Sequence, residues 1–277
     1  MKIDLNKVNA DRAFFDSLGN SYPADSTVKI TSEQIAGVTC YRFAPHTFDD
    51  GKIIIYLHGG MFGFGSIRSH KPMVSYFASA LSAKVLFIEY ALAPEKPFPN
   101  GLDDTIKVYR ELIGKGSNSK IILMGDSAGG GLAVSMVKVI TEEMIHQPSS
   151  VILISPWLYL KCDTESHEKR KKIEQILTKD MLVEYANYYV ANNDWNEADP
   201  SQLTFNSFPP LFILVGSNEI LFDDSKLFYE KINPVQPNTK MKEYIDQNHV
   251  WLLADIKSGG SRIALTDINE FITKTTN

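Results

Sequence analysis

Residues 120–131, KIILMGDSAGGG, carry the pattern on which the predicted fold depends. The apolar run KIILM is typical of a buried strand, and the AGGGLAVSMVKVI that follows is typical of a helix. Between them, G-x-S-x-G is the nucleophile-elbow pattern, a tight strand-to-helix turn that presents a serine hydroxyl. Ser127 is therefore a candidate nucleophile, and Ala128, at the helix start, offers an N–H to an oxyanion. A glycine-rich turn whose serine takes no part in chemistry is the alternative.

Outward from this turn, short apolar runs alternate with amphipathic segments, which predicts an α/β fold with right-handed βαβ units and a parallel sheet. The predicted strands are 52–57, 84–90, 120–124, 151–154 and 211–215. The predicted helices are 70–81, 103–113, 128–143 and 223–232. Residues 1 to about 45 predict a helix followed by two short antiparallel strands. Residues 157–200 contain a charged stretch and a helix, and predict an insertion over one end of the sheet.

Composition narrows the classes of protein that fit this pattern. Hydrophobic residues make up 44% and charged residues 22% of the 277 residues, which excludes a disordered or fibrous chain. The formal net charge of -5 disfavours nucleic acid or an anionic membrane as a partner. The two cysteines are too few for a disulfide framework. With an N-terminus too charged for a signal peptide, these features predict a single cytoplasmic domain over 1–277.

A second glycine-rich segment, YLHGGMFGFG at residues 56–65, follows another predicted strand. Hydrolases of this architecture need backbone N–H groups in such a loop, aimed at a tetrahedral oxyanion. The candidate donors are Gly59, Gly60 and Met61. We call residues 58–65 the oxyanion loop. A phosphate-binding loop is the alternative, but neither G-K-[ST] nor G-x-G-x-x-G is present.

The candidate base is His249, in NHVW at residues 248–251. It follows both Ser127 and a carboxylate cluster at residues 219–224, which is the Ser, acid, His order of the hydrolase triad. Phe62, Phe64 and Trp157 are candidate substrate contacts. The two phenylalanines lie beside the candidate oxyanion donors, and Trp157 follows a strand end. Asp126 and Glu95 are expected to hold neighbouring loops rather than to act on a substrate, and Glu95 is expected to be buried near the site.

Together these motifs resemble the hormone-sensitive-lipase-like branch of the α/β-hydrolase superfamily, the small bacterial esterases. The matching segments run in order from residue 56 to residue 251: YLHGGMFGFGS, YALAPEKPFP, GLDD, GDSAGGGLA, SPWLYL, FPPLFILVGSNEILFDDS and NHVW. The resemblance implies an α/β-hydrolase fold of about eight strands with a small helical cap, contributed by about 1–45 and 157–200. It also implies hydrolysis of short-chain acyl esters through an acyl-enzyme intermediate.

Two positions depart from the family pattern. Where members read H-G-G-G or H-G-G-A, this chain has Met61, whose N–H can still serve while its side chain lines the acyl pocket. The family's aspartate aligns with Glu219 when counted back from Asp223 and Asp224, and with Asn218 when counted forward from the strand. We favour Glu219, because an amide cannot supply the charge that stabilises an imidazolium. The aspartates are expected to hold loop backbone or to cap the next helix.

The implied triad is Ser127, His249 and Glu219. An amidase, arylformamidase or lactonase with the same triad is an alternative, and the presence of His249 disfavours a non-catalytic ligand-binding protein on this fold. No metal or organic cofactor is expected, since neither H-E-x-x-H nor C-x-x-C occurs. The expected partner is a small-molecule ester. Family members are often dimers, so a homodimer is a further expectation, without an identified interface.

Overall fold

A computed structural model describes residues 3–114 and 120–276. Within them, one sheet of eight strands has the order β1-β2-β4-β3-β5-β6-β7-β8. The strands are β1 (Val28–Ile35), β2 (Val38–Pro45), β3 (Lys52–Leu57), β4 (Lys84–Ile88), β5 (Lys120–Asp126), β6 (Ser150–Ile154), β7 (Leu211–Gly216) and β8 (Thr239–Tyr244). β2 pairs antiparallel with β1 and β4, and the other neighbours are parallel. The predicted, mostly parallel sheet of about eight strands is confirmed.

Helices cover both faces of the sheet, and each face has its own apolar core. The helices of the described residues are α1 (Leu5–Ser17), α2 (Ile67–Ala80), α3 (Asn100–Gly114), α4 (Ala128–Glu142), α5 (Ser166–Lys169), α6 (Lys179–Val190), α7 (Trp195–Ala198), α8 (Phe222–Ile232), α9 (Trp251–Ala254) and α10 (Gly259–Thr276). The central strands are buried along nearly their whole length, as a parallel sheet covered on both faces requires. None of these helices has the length and apolar character needed to cross a membrane.

Several element ends differ from the sequence prediction by a few residues, and two of them have a clear local reason. α2 begins at Ile67 rather than at residue 70, because Ser66 forms a capping box with Ser69. β4 ends at Ile88 rather than at residue 90, and the Glu89 carboxylate accepts a hydrogen bond of 2.7 Å from the N–H of Ile67. In both cases a polar side chain bonds the first turn of α2: Ser66 and Ser69 form its capping box, and Glu89 accepts the N–H of Ile67.

The predicted cap includes too many residues at its N-terminal end, because part of the range 1–45 belongs to the sheet. Residues 28–45 form β1 and β2, a continuous antiparallel pair that extends the sheet, with Cys40 of β2 opposite Ile88 of β4. Only α1 and the short 3-10 turn after it lie outside the sheet in this part of the described chain. β1 and β2 are both longer than predicted. β1 lies at the edge of the sheet and is mostly exposed, so it lacks the apolar run of a central strand.

Candidate active site

Ser127 lies in the turn between β5 and α4, with a backbone φ of 49° and ψ of −120°. Such a conformation is strained for a residue with a side chain, and it lifts the hydroxyl out of the turn. The flanking glycines are sterically required. A Cβ atom on Gly129 would lie 2.1 Å from the Leu57 carbonyl oxygen, and one on Gly125 would lie 2.5 Å from that of Gly129. The glycines of the motif therefore permit the close packing of this turn against β3.

The turns after three strands bring Ser127, His249 and Glu219 together. The distance between Ser127 Oγ and His249 Nε2 is 2.9 Å, and that between His249 Nδ1 and Glu219 Oε2 is 3.0 Å. All three residues are buried. These two contacts join an alcohol, an imidazole and a carboxylate in the arrangement that allows proton transfer from the alcohol to the imidazole.

The Glu219 carboxylate is fixed from its other side by residues of the sheet. Its Oε1 accepts hydrogen bonds from Ser155 Oγ at 2.7 Å and from the Gly216 N–H at 2.5 Å. Ser155 Oγ in turn accepts a hydrogen bond of 3.1 Å from the N–H of Val250, the residue after His249. Sequence reasoning missed Ser155. It could have been found as a small polar residue directly after β6, because β6 lies between the strands that carry Ser127 and Glu219.

The other acidic and amide candidates lie elsewhere. The Asn218 amide donates to Asn248 Oδ1 at 3.2 Å and is not within hydrogen-bond distance of the His249 ring. Asp223 and Asp224 accept backbone N–H groups of the 157–200 segment, at 2.7 Å and at 2.9 Å respectively. The expectation that the two aspartates hold loop backbone is confirmed.

Burial and hydrogen bonding set the ionisation of the pair. Burial disfavours the charged form of His249, but the hydrogen bond and negative charge of Glu219 outweigh it, so the pKa of His249 is raised. Burial also raises the pKa of Glu219, and the hydrogen bonds from His249, Ser155 and Gly216 oppose this only in part. A raised imidazole pKa makes His249 a stronger base toward Ser127.

The predicted oxyanion donors all lie at the same end of the sheet, but the N–H of one of them already has a hydrogen-bond partner. The Gly59 N–H already donates to Asp126 Oδ1 at 2.9 Å, so it is not available to an oxyanion. Gly60 has a φ of 120° and Met61 one of 52°, which turn the chain above Ser127. Among the described residues, no hydrogen bond uses the N–H of Gly60 or Met61. As the first residue of α4, Ala128 also has an N–H without an intrahelical partner.

Asp126 connects this loop to the elbow, as expected from the sequence. Besides Gly59, it accepts a hydrogen bond from the Tyr56 hydroxyl at 2.6 Å, and His70 Nε2 lies 3.5 Å from its Oδ2. Burial raises the pKa of Asp126, but His70 and Tyr56 outweigh that effect, and the pKa is lowered. Nearby, His58 Nδ1 lies 2.8 Å from the Gly59 carbonyl oxygen, and burial lowers the pKa of His58 to about 3, so its ring is neutral.

A cavity of about 300 Å³ opens above Ser127 and His249. Met61 and Phe64 of the oxyanion loop line it. Most of the other apolar walls come from α1 and the turn after it and from residues 157–200: Phe14, Phe15, Leu18, Ile176, Leu177 and Met181. Val250, Leu253 and Ala254, which follow His249, complete the lining. Phe14 and Ile176 are largely exposed at the mouth. The reacting groups therefore lie at the base of a small apolar cavity that suits an uncharged ligand.

Two predicted substrate contacts, Phe62 and Trp157, do not line this cavity. The Phe62 ring stacks on Tyr189 with 3.9 Å between centroids and packs against Trp157, which is fully buried. Both side chains pack in the interior, and substrate contact by these two residues stays a prediction that the described cavity does not support. Tyr185 and Tyr189 likewise belong to the apolar core.

The expectation for Glu95 also needs correction. Its side chain is 47% exposed rather than buried, and it pairs with Arg12 of α1 at 2.7 Å. Arg12 also donates to the carbonyl oxygens of Gly63 at 2.9 Å and Ala93 at 3.0 Å. Arg12 thereby attaches α1 to the oxyanion loop, a contact that no local sequence pattern indicated.

Fold and site together are those of an α/β hydrolase with a serine at its elbow. The sequence of residues 54–253 matches the model of a protein family that has the alpha/beta hydrolase fold, and the chain belongs to this family. It is 32% identical to an esterase of Acinetobacter venetianus over 270 residues, 96% of this chain and 88% of the relative. It is 35% identical to an acetyl-hydrolase of Streptomyces hygroscopicus over 205 residues, 73% of this chain and 69% of the relative.

Solved structures give the same result. The crystal structure of an esterase from the bacterial hormone-sensitive lipase family has a TM-score of 0.93 and 29% identity, and the match covers 98% of this chain and 92% of that one. The resemblance to this group of esterases, predicted from motifs, is confirmed. In residues 3–114 and 120–276, no group of three or more His, Cys, Asp or Glu side chains is arranged to hold a metal ion.

Proposed function

We propose that the protein is a serine carboxylesterase that hydrolyses short-chain acyl esters through Ser127, His249 and Glu219. The observation that carries the proposal is the pair of contacts from Ser127 Oγ to His249 Nε2, 2.9 Å, and from His249 Nδ1 to Glu219 Oε2, 3.0 Å. Its relatives include an esterase and an acetyl-hydrolase, and their activities support the same chemistry.

In the acylation step, Ser127 Oγ attacks the ester carbonyl carbon while its proton passes to His249 Nε2. The negative charge on the former carbonyl oxygen is met by the N–H groups of Gly60, Met61 and Ala128. Glu219 accepts a hydrogen bond from His249 Nδ1 and stabilises the imidazolium. Collapse of the tetrahedral intermediate expels the alcohol, which takes the proton from Nε2 and leaves an acyl-enzyme.

Deacylation repeats these proton transfers with water. A water molecule loses a proton to His249 Nε2 and attacks the acyl carbon, and the same N–H groups receive the second oxyanion. When this intermediate collapses, Ser127 Oγ leaves and recovers the proton from Nε2, and the carboxylic acid is released. No step requires a group beyond the residues named.

The walls of the cavity are the basis for proposing a short acyl chain. We infer that α1 and the 157–200 segment act as a small cap within a single domain, since both supply apolar side chains above Ser127. About 300 Å³ of largely apolar space suits a small ester better than a long-chain lipid. We expect the N–H of Gly59 to have a supporting role, since Asp126 already occupies it.

The test is hydrolysis of p-nitrophenyl acetate, butyrate, octanoate and palmitate by the wild type and by Ser127→Ala. We expect the two short esters to have the highest kcat/KM and the variant to lose at least about 10³-fold in kcat. A p-nitroanilide of the same acyl group should react far more slowly. Equal rates for the wild type and the variant would refute the proposal.

A further inference from the structure

A short segment of the insertion contacts both loops that supply the proposed acid and base. We call residues 170–177, which precede α6, the strap. The Arg170 guanidinium donates to the Ser217 carbonyl oxygen and lies 3.8 Å from the centroid of the Phe222 ring. Gln175 Oε1 accepts a hydrogen bond of 3.3 Å from Asn248, the residue before His249. The strap is therefore bound to the loop after β7 and to the loop after β8.

The same segment forms part of the cavity wall. Gln175, Ile176 and Leu177 all line the cavity above Ser127. Leu177 is buried, whereas Ile176 is exposed at the mouth. A substrate in the cavity would therefore press on the segment that contacts the acid and base loops.

Glu174 joins these two roles with one carboxylate. Its Oε1 accepts the N–H groups of Ile176 at 2.8 Å and Leu177 at 3.2 Å, both in the cavity wall. Its Oε2 accepts the N–H of Ile220 at 3.0 Å. Because that N–H belongs to the peptide group directly after Glu219, the bond fixes the plane from which the Glu219 side chain extends.

We propose that Glu174 is a positioning residue for ester hydrolysis: its carboxylate holds the Glu219 loop against the cavity wall and so sets the alignment of Glu219 with His249. The inference rests on the proposed function. Ser155 and Gly216 hold Glu219 from the sheet side, and Glu174 holds the next peptide from the strap side. Hydrogen bonds to an ionised carboxylate are among the stronger ones in proteins, which suits this role.

Electrostatics gives the carboxylate of Glu174 a second effect. The acidic groups that act on His249 are Glu219, in direct contact, followed by Glu174 and Asp126. All three favour the protonated imidazole and raise the pKa of His249 against the effect of burial. Removal of the charge at residue 174 should therefore lower that pKa, even with Glu219 and Asp126 in place.

The test compares Glu174→Gln and Glu174→Asp with Glu168→Gln, a matched control at an exposed carboxylate of α5 in the same insertion. The amide of Glu174→Gln has one acceptor oxygen, so it cannot accept hydrogen bonds both from the N–H groups of the cavity wall and from that of Ile220. We expect kcat for p-nitrophenyl butyrate to fall about tenfold, which is about 1.4 kcal/mol. The acid limb of the kcat/KM pH profile should move to lower pH. Glu168→Gln should match the wild type in both.

Glu174→Asp separates charge from reach, because it keeps the carboxylate but shortens the side chain. We expect its acid limb to stay near that of the wild type while kcat remains low. If the kcat and the acid limb of Glu174→Gln both coincide with those of Glu168→Gln, the proposal is overturned. It is also overturned if Glu174→Asp restores kcat completely, since reach would then be irrelevant.

A spectroscopic measurement covers the case in which a variant is too unstable for kinetics. The proton on His249 Nδ1, hydrogen-bonded to Glu219, should give a downfield NMR resonance, which should shift or broaden in Glu174→Gln at low temperature and not in Glu168→Gln. An unchanged resonance would count against the role. Because this readout needs no turnover, a wild type that hydrolyses no ester refutes the proposed function alone. A normal kcat together with an unshifted acid limb in Glu174→Gln refutes only the present inference.

Discussion

The two sides of the cavity are held in place by different physical means. On the sheet side, Ser127 and the oxyanion loop are fixed by backbone geometry, with glycines that no other residue can replace without a clash. On the cap side, α1 and the strap are attached largely through long side chains, Arg12 and Glu174. The first arrangement leaves a motif in the sequence, whereas the second leaves single residues without a pattern. We therefore expect substitutions on the sheet side to abolish chemistry and those on the cap side to tune it.

The largest effect is expected at Glu219, which the turn after β7 holds beside His249. In Glu219→Gln the amide cannot balance the imidazolium charge, and the corresponding change in serine proteases costs about 10⁴ in kcat. We expect a loss of that order for p-nitrophenyl acetate. Asn218→Ala is the control, since Asn218 bonds to Asn248 instead. A larger loss in Asn218→Ala than in Glu219→Gln would show that the acid has been wrongly assigned.

The next effect concerns Gly60 in the oxyanion loop. A Cβ atom there would lie 2.1 Å from the Phe64 carbonyl oxygen, and the φ of 120° disfavours any side chain. Gly60→Ala should displace the N–H groups of Gly60 and Met61 and lower kcat by about 10²–10³, the usual cost of losing one such donor.

Gly37→Ala is the matched control, because Gly37 also has a positive φ, 82°, but a Cβ atom there meets nothing within 4 Å. We expect Gly37→Ala to lower the melting temperature slightly and to leave kcat unchanged. Equal kcat values for the two variants would mean that the loop of Gly60 does not supply the oxyanion donors.

This contrast also explains which parts of the site the sequence predicts. Ser127 lies in a local pattern, a glycine turn after a buried strand, and the tight turn itself requires that pattern. His249 was found by chain order, as a late histidine after an acidic cluster. The alternation of the central strands and the helices between them was predictable from their apolar runs. β1 was not predictable to its full length, since an edge strand with an exposed polar face has no continuous apolar run.

Two kinds of contact around the site, one that attaches α1 and one that holds Glu219, escaped prediction because their partners are far apart in the chain. Arg12 meets Gly63 across 51 positions, and Ser155 meets Glu219 across 64. No periodicity encodes such a pair, and each residue alone resembles an ordinary surface or turn residue. The prediction that Gly59 donates to the oxyanion failed for a related reason. Its N–H is taken by Asp126, and only the three-dimensional arrangement reveals that competition.

A moderate effect is expected when α1 is detached at Arg12. Arg12→Ala removes the donors to Gly63 and Ala93, so both the oxyanion loop and the wall formed by Phe14 should shift. These bonds act on the position of the loop and not on the reacting atoms, so we expect only roughly a tenfold fall in kcat/KM, about 1.4 kcal/mol.

Glu95→Gln isolates the ion pair, because it leaves the bonds from Arg12 to the two carbonyl oxygens in place. Since Glu95 is half-exposed, that pair should contribute little, about 0–1 kcal/mol. Steady-state kinetics with p-nitrophenyl butyrate compares the two variants. If Glu95→Gln lowers kcat/KM as much as Arg12→Ala, the ion pair and not the carbonyl contacts holds α1.

The smallest effect distinguishes two aromatic residues that lie two positions apart in the oxyanion loop. The Phe64 ring faces the cavity, whereas the Phe62 ring stacks on Tyr189 in the interior. Phe64→Leu should therefore enlarge the cavity and raise the ratio of kcat/KM for the octanoate to that for the acetate a few-fold, as expected when space for about one methylene is gained. Phe62→Leu should lower the melting temperature and leave this ratio unchanged. A shifted ratio in Phe62→Leu would mean that the acyl chain reaches beyond the described cavity, between the oxyanion loop and α6.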